Sequence, residues 1–261
     1  MAENVRNVAL RLAYDGTDFV GSQVQANGPS IQGALEAAWL RLTQEQQRFT
    51  FAGRTDAGVH AQGQVANVRT QTSHPLATLQ RGLNALLPKP IAILDIWEAP
   101  SEFHARHSAI WRKYRYLLDE EPIELPMLRQ YVLHIGQPLA KEALKEALKV
   151  LPGTHDFAAF GSATQPGGST IRQCRSATCS SVELFGRSLV AIELVANGFL
   201  RQMIRALVGT LILVGRRQLT PAAFAQILQA RDRRRAGPTA AAHGLTLMAV
   251  GYPPAAMLLE N

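Results

Sequence analysis

The sequence predicts an α+β protein made of two similar halves, in which helices cover one face of a mainly antiparallel sheet. Short segments that alternate apolar and polar residues predict strands, and between them lie segments with the apolar spacing of helices. The same order of elements then recurs in the second part of the chain. A length of 261 residues with 47% hydrophobic composition is enough for a core in each half.

The first half has the predicted order β-α-β-β-α-β. Alternation over residues 8–13 predicts a strand that ends at the turn-prone Tyr14-Asp15-Gly16-Thr17. Ser30 is predicted as the N-cap of a helix, because apolar residues recur at helical spacing from Ile31 onward. The remaining predicted elements are strands at 49–52 and 64–70, a helix over 75–87 and a strand over 91–97.

The second half repeats this order with one further helix. Its predicted elements are a strand over 110–118, a helix over 139–151, a hairpin of 176–183 with 188–196, helices over 199–214 and 221–229, and a strand over 245–252. This is the split βαβ arrangement of ferredoxin-like and RRM-like domains, for which we expect a central cleft. The boundary is predicted within 100–108, so that residues 1–105 form the first half and residues 106–261 form the second half, which completes the cleft.

The charge balance favours a polyanionic partner. Twenty-seven Lys and Arg against twenty Asp and Glu give a formal charge of +7 and a pI near 9.8, although solubility alone is an alternative reason. No apolar run is as long as a membrane span and the first residues lack the layout of a secretion signal, which predicts a cytoplasmic protein without membrane association. Two cysteines, Cys174 and Cys179, are too few for a disulfide framework or a thiolate metal site.

The segment from Ala52 to His60 contains two glycines, an arginine, an aspartate and a histidine between two predicted strands. Glycines allow sharp turns that present a side chain, here Asp56, although an isolated loop aspartate more often forms a turn or a cap. We predict no metal site, because Asp56 and His60 lack further ligands nearby. A glycosidase would need a second carboxyl group, for which Asp15 and Asp18 are candidates, but the setting of Asp15 is as typical of a turn.

The octapeptide Gly53-Arg54-Thr55-Asp56-Ala57-Gly58-Val59-His60 resembles the active-site signature of the TruA family of tRNA pseudouridine synthases. Further motifs match in the family's order and span almost the whole chain. They are Tyr14-Asp15-Gly16-Thr17, Phe103-His104-Ala105-Arg106, Tyr114-Arg115-Tyr116, Gly153-Thr154-His155-Asp156-Phe157, Phe199-Leu200-Arg201-Gln202-Met203-Ile204-Arg205 and Gly237-Pro238-Thr239-Ala240.

The resemblance implies a homodimer that converts uridine to pseudouridine at positions 38 to 40, on the 3′ side of the tRNA anticodon stem-loop. This reaction breaks the N1 glycosidic bond and rejoins the base through C5 with no net oxidation. No cofactor is therefore expected, and the sequence lacks a P-loop or a dinucleotide fingerprint. Asp56 is predicted to be the essential carboxylate. The sequence leaves open whether it attacks the sugar, attacks the base or removes a sugar proton.

Further residues receive expected roles. The family's counterpart of Arg205 pairs with the catalytic aspartate, with a guanidinium that extends to water as the alternative. The counterpart of Tyr114 contacts the uracil, with an ordinary aromatic core strand as the alternative. Arg54 is expected to enter the space left by the flipped base or to contact phosphate. His60 is expected to order the loop or to contact RNA.

Several basic residues are possible RNA contacts. Arg112, Lys113 and Arg115 share the strand of Tyr114, and the arginine-rich runs at 216–217 and 231–235 would form a phosphate track if they converge with it. Solvated helix ends are the alternative for both runs.

Two positions depart from the family pattern. Ser22 stands where Trp is usual and Ala241 where Pro is usual, which affects local packing and tRNA contact.

Two other functions are alternatives to the synthase. A non-catalytic RNA-binding module has no need of Asp56, and a nucleoside hydrolase would release free uracil.

Overall fold

The computed structural model describes residues 5–163 and 167–256. The chain divides into two units, the first formed by residues 5–111 with 247–256 and the second by the described residues within 112–246. Both units combine helices with antiparallel strands, so the predicted α+β class is confirmed. Within the described ranges no helix is both long enough and apolar enough to cross a membrane.

The first unit has the predicted order β-α-β-β-α-β. Its elements are β1 (Arg6–Tyr14), α1 (Ile31–Thr43), β2 (Thr50–Phe51), β3 (His60–Thr70), α2 (Leu76–Leu86) and β4 (Ile91–Ala99). β1 pairs antiparallel with β3 and β4, which places Leu10 opposite Ala66 on one side and Ile96 on the other. Adjacent strand residues point to opposite faces, and Ala9 and Leu10 are both fully buried. The sheet of this unit is therefore covered on both faces.

The helices of the first unit begin and pack as their sequences indicate. The Oγ of Ser30 accepts a hydrogen bond of 3.1 Å from the N–H of Gly33, which confirms Ser30 as the N-cap of α1. α1 and α2 approach closely at a glycine, since a Cβ at Gly82 would lie 2.7 Å from the Leu42 side chain.

The second unit is also built on antiparallel pairs. The elements that follow are β5 (Trp111–Asp119), β6 (Leu133–His134), α3 (Lys141–Leu148), β7 (Gly153–Asp156), β8 (Ile171–Leu184), β9 (Arg187–Ala196), α4 (Met203–Gly215), α5 (Pro221–Ala230) and β10 (Leu245–Gly251). β9 lies between β5 and β8, β7 extends the sheet beyond β8, and the short β6 pairs parallel with β5. Residues 247–251 of β10 belong to the first unit and lie beside β3.

The predicted hairpin of the second unit is confirmed. β8 and β9 are joined by Phe185 and Gly186, which have φ values of +49° and +71°. Two consecutive left-handed residues are typical of the type I′ turn, whose twist matches that of paired strands.

Some predicted boundaries were wrong. The helix expected from residue 199 begins only at Met203, because Gln202 has a left-handed φ of +61° and the N–H of Arg201 donates to Ser162 O outside the helix. β3 starts at His60, four residues before its predicted start. β6 and β7 were not predicted. Both are short, and β7 contains no buried residue, so neither has the apolar alternation of a half-buried strand.

Candidate active site

The loop between β2 and β3 carries Arg54 and Asp56. Arg54 is exposed, Thr55 is only 7% exposed and Asp56 is half-buried, and Asp56 forms an isolated antiparallel bridge with Gly21. The residue between Arg54 and Asp56 is thus the buried one of the three.

The chain reverses direction directly after Asp56. The N–H of Val59 donates to the Asp56 carbonyl at 3.2 Å, and of the two central residues of this turn only Gly58 has a positive φ, +75°. This combination is typical of a type II turn, which glycine adopts without strain. The turn places Asp56 at its first position, at the point where the loop bends.

Thr55 is tied to two other segments of the first unit. Its N–H donates to Ser22 Oγ at 2.8 Å, and its carbonyl accepts from the N–H of Ser22 at 3.1 Å. Its hydroxyl shares a hydrogen bond of 2.8 Å with the hydroxyl of Tyr14. Thr55, Ser22 and Tyr14 are all buried. The residue between Arg54 and Asp56 is therefore held through both its backbone and its side chain.

Gln64 completes this buried network. Its Nε2 donates to Gly53 O at 2.9 Å and to the Tyr14 hydroxyl at 3.3 Å, and the residue is fully buried. Burial raises the pKa of Tyr14 to about 12, against the opposing effect of its hydrogen bonds with Thr55 and Gln64. The Tyr14 hydroxyl is consequently protonated at neutral pH and supports the loop as a neutral group.

The loop after β1 packs directly against the loop that carries Asp56. Asp15 Oδ1 accepts from the N–H and the hydroxyl of Thr17 at 3.0 and 2.6 Å, which is the turn arrangement. The Nδ1 of the buried His60 accepts the N–H of Gly16 at 3.1 Å and also lies 3.2 Å from Asp15 Oδ1. A Cβ at Gly16 would lie 2.1 Å from Val59 O. Of the two expected roles of His60, loop ordering has a visible contact.

In the second unit, the strand β5 alternates as predicted. Tyr114 and Tyr116 are buried on one face, and Lys113 and Arg115 are half-buried on the other. The Tyr114 ring makes an edge contact with Phe199 at a centroid distance of 5.1 Å. The Tyr116 hydroxyl donates to Ala241 O at 2.7 Å, at the position where the family usually has Pro. Tyr114 is 7% exposed, so its ring is fixed by packing.

The cations of β5 have protein partners. Lys113 Nζ lies 3.0 Å from Glu193 Oε2, and Arg115 Nε donates to Glu193 Oε1 at 2.9 Å. Burial acts to raise the pKa of Glu193, but hydrogen bonds from the two cations outweigh it and the pKa is lowered overall. Arg112 donates to Asn197 O at 2.7 Å from a largely buried position. These contacts orient the three basic side chains within the second unit.

Arg205 projects from α4 toward the segment 237–240. Its Nε donates to Ala240 O at 2.8 Å, and its own carbonyl accepts from the N–H of Ala240 at 3.0 Å. The buried Thr210 hydroxyl accepts from the N–H of Gly237 at 2.9 Å. Two family motifs are thus joined by hydrogen bonds, and the half-buried guanidinium of Arg205 is oriented by one of them.

The run 231–235 takes part partly in the fold itself. Arg233 donates to Gly237 O and to Thr239 Oγ1, both at 3.0 Å, and Arg234 pairs with Asp232 at 2.8 Å. Arg216 and Arg217 follow α4 and are exposed, as the helix-end alternative requires. Throughout the described ranges no three His, Cys, Asp or Glu side chains are grouped as a metal ion would need.

Sequence reasoning missed two buried polar residues of the loop network. Ser22 was noted only as a departure from a motif, and Gln64 only as the start of a predicted strand. A signal for Gln64 exists, because a glutamine within an otherwise buried strand requires hydrogen-bond partners. The contact of Ser22 with Thr55 joins residues 33 positions apart and has no local signal.

Comparison with known proteins covers both units. A family profile described as tRNA pseudouridine synthase matches residues 12–108 and 147–253. The tRNA pseudouridine synthase A of Chloroflexus aurantiacus (strain J-10-fl) is 56% identical over 250 residues, which are 96% of this chain and 90% of that protein. The proteins of the same name from Roseiflexus sp. (strain RS-1) and Pelobacter propionicus are 53% and 41% identical, each over 95% of this chain and over 92% and 100% of their own lengths.

Because the matched segments lie in both units, the chain as a whole is an RNA-modifying enzyme. It belongs to the tRNA pseudouridine synthase family, whose members isomerise uridine to pseudouridine in tRNA. The resemblance carried by the sequence motifs is thereby confirmed.

Proposed function

We propose that this protein isomerises uridine at positions 38 to 40, on the 3′ side of the tRNA anticodon stem-loop, and that Asp56 is its essential carboxylate. The observation that carries the proposal is the position of the half-buried Asp56, two residues after the exposed Arg54, on a loop held from within by buried hydrogen bonds. A carboxylate that must act at one bond requires a fixed position, and this loop supplies one.

The chemistry requires a single carboxylate and no electron carrier. The C1′–N1 bond of uridine breaks, the uracil turns, and a C1′–C5 bond forms. The hydrogen originally on C5 is lost to solvent, and N1 ends with a proton. Asp56 acts as a nucleophile or as a base in the opening of the first bond. The change is redox-neutral, so we propose no cofactor and no metal ion.

We propose that the other site residues bind the flipped nucleotide. Arg54, exposed beside Asp56, enters the space left by the base and contacts the RNA backbone. Tyr114, fixed against Phe199, provides an aromatic surface for the uracil. Arg205, oriented by Ala240, has the substrate-site role that the resemblance implies. His60 orders the loop through Gly16.

Three basic residues of the second unit are proposed as RNA contacts. Arg112, Lys113 and Arg115 lie on β5 with the uracil-contacting tyrosine, and we propose them as phosphate contacts. Since Glu193 already neutralises part of the charge of Lys113 and Arg115, their net contribution to binding depends on how RNA competes for them.

We also propose a homodimer that works in the cytoplasm on tRNA. Sedimentation equilibrium of the purified chain tests the first point, with twice the chain mass of 28.5 kDa as the expected value. A mass of one chain at micromolar concentration would exclude the dimer.

The function is tested with tRNA tritiated at C5 of uridine. Wild-type protein should release tritium without free uracil, and Asp56→Asn, which keeps the shape of the side chain, should release none while it still binds tRNA. Asp95→Asn is the matched control, because Asp95 is an aspartate of the same unit that lies within β4 and pairs with Arg11. A tRNA with cytidine at positions 38 to 40 should abolish release if those positions are the targets.

Three results would contradict the proposal. Tritium that leaves the RNA as free uracil would indicate a hydrolase. Tight tRNA binding without release from wild type would indicate an RNA-binding module. Equal release from Asp56→Asn and wild type would remove Asp56 from the chemistry.

A further inference from the structure

The strongest unassigned feature of the first unit is the pairing of Gly21 and Ser22 with Thr55 and Asp56. Gly21 forms an antiparallel bridge with Asp56, and Ser22 exchanges two hydrogen bonds with Thr55. One of these bonds is between backbones, and the other uses the Ser22 side chain. Only the second depends on which amino acid occupies position 22.

We infer that Ser22 is a positioning residue for the reaction. Its hydroxyl accepts the Thr55 N–H and thereby sets the orientation of residues 54–56. The inference rests on the proposed role of Asp56. This contact depends on the serine, because a tryptophan at this position would offer only an N–H donor and no acceptor for the Thr55 N–H.

The geometry leaves little freedom at this contact. The Thr55 N–H to Ser22 Oγ distance is 2.8 Å, and Ser22 is 1% exposed, so water does not readily replace the hydroxyl. Gly21 has a φ of +121°, and a Cβ there would lie 2.8 Å from Thr55 O. The two segments are thus in contact along both residues, and the glycine permits the approach that the serine then fixes.

The effect of losing the bond is expected at Asp56 rather than throughout the unit. Thr55 would keep its backbone contact with Ser22 and its hydroxyl contact with Tyr14, so the loop stays folded. Its buried N–H would lack an acceptor and would turn toward another one. The Thr55 N–H belongs to the peptide group between Arg54 and Thr55, so a rotation of this group moves Arg54 directly and moves Asp56 through the backbone of Thr55.

The test compares Ser22→Ala with Thr70→Val in single-turnover tritium release under saturating enzyme. Thr70 is the matched control, because it is also a buried hydroxyl residue of the first unit whose oxygen accepts a backbone N–H, from Thr72, and it lies at the end of β3 opposite to the loop of Asp56. We expect Ser22→Ala to slow release about 10-fold, the equivalent of about 1.4 kcal/mol, with a smaller loss of tRNA affinity through Arg54. Thr70→Val should lose stability but keep the rate. Ser22→Thr, which keeps the hydroxyl, should restore most of the rate.

The outcomes separate this inference from the proposed function. If Asp56→Asn is inactive and Ser22→Ala is as fast as wild type, Ser22 does not position the loop. Equal slowing in Ser22→Ala and Thr70→Val would also overturn the inference, since a general loss of stability would then explain the slower release. If wild type releases no tritium, or Asp56→Asn releases as much as wild type, the proposed function itself fails.

Discussion

Gly16→Ala adds a single methyl group, but we expect it to displace the loop that carries Asp56. Gly16 lies in the loop after β1, and a Cβ at this position would be 2.1 Å from Val59 O and 2.7 Å from Val59 C. Both contacted atoms are backbone atoms, so no side chain can move aside. The Gly16 N–H also donates to His60, which ties the same two loops together.

The magnitude follows from the distance. Real Cβ atoms essentially never approach another heavy atom within 3.0 Å, so the loops must separate by about 1 Å. Overpacking of this kind costs about 1–3 kcal/mol of stability. A displacement of about 1 Å near a reacting group lowers a rate by about 10²-fold. Val59 is the last residue of the type II turn that begins at Asp56, and its N–H is hydrogen-bonded to the Asp56 carbonyl. A displacement of Val59 therefore also moves Asp56.

Two controls separate position from stability. Gly53→Ala adds the same methyl group in the same unit, but nothing lies within 4 Å of its Cβ, so its free energy of unfolding should change by less than about 1 kcal/mol. Leu83→Ala removes a fully buried side chain of α2 and should cost about 2–5 kcal/mol without slowing tritium release at temperatures where it is folded. A Gly16→Ala protein with the stability and rate of wild type would refute the reasoning.

Three further changes have defined expectations. Burial raises the pKa of Tyr14 to about 12, so the stability that the neutral hydroxyl confers is complete below the unfolded pKa of about 10 and is lost as the pH rises toward 12. In urea unfolding, wild type should lose about 1.3 kcal/mol more than Tyr14→Phe between pH 9 and 11. An equal loss in the two proteins would contradict this. Thr210→Val removes the acceptor of the buried Gly237 N–H and should cost about 1–3 kcal/mol in calorimetry, with an unchanged melting temperature as the contrary result. Glu193→Gln should strengthen tRNA binding at low salt and steepen its salt dependence, because the basic side chains paired with it gain net positive charge; an unchanged salt slope would show that they do not contact phosphate.

The elements that the sequence predicted well are those with local signals. Alternation identified β1 and β5, and the serine before an apolar helical repeat identified the start of α1. The start of α4 failed because its determinant is not local. Phe199 and Leu200 continue the apolar spacing of the helix, but the segment is held outside it by Ser162 and by the left-handed Gln202.

The candidate site shows the same division between local and distant determinants. Arg54 and Asp56 were predicted as site residues from an eight-residue signature. The contacts that hold them come from Tyr14, Ser22 and Gln64, which lie up to 41 residues away from Thr55 in sequence. No spacing rule relates such positions, so the support of the loop becomes visible only in the fold.

A buried residue between two functional ones has a consequence for how the loop tolerates change. Thr55 binds no substrate in the proposed reaction, yet every hydrogen bond it makes fixes the backbone that carries Arg54 on one side and Asp56 on the other. A substitution such as Thr55→Val keeps the shape and the backbone bonds but removes the hydroxyl contact with Tyr14. If the loop is positioned from within, this variant should lower the rate of isomerisation and leave tRNA affinity nearly unchanged, whereas Arg54→Ala should weaken tRNA binding. The opposite pattern would mean that the outward residues hold themselves in place through RNA, and that the buried network contributes only stability.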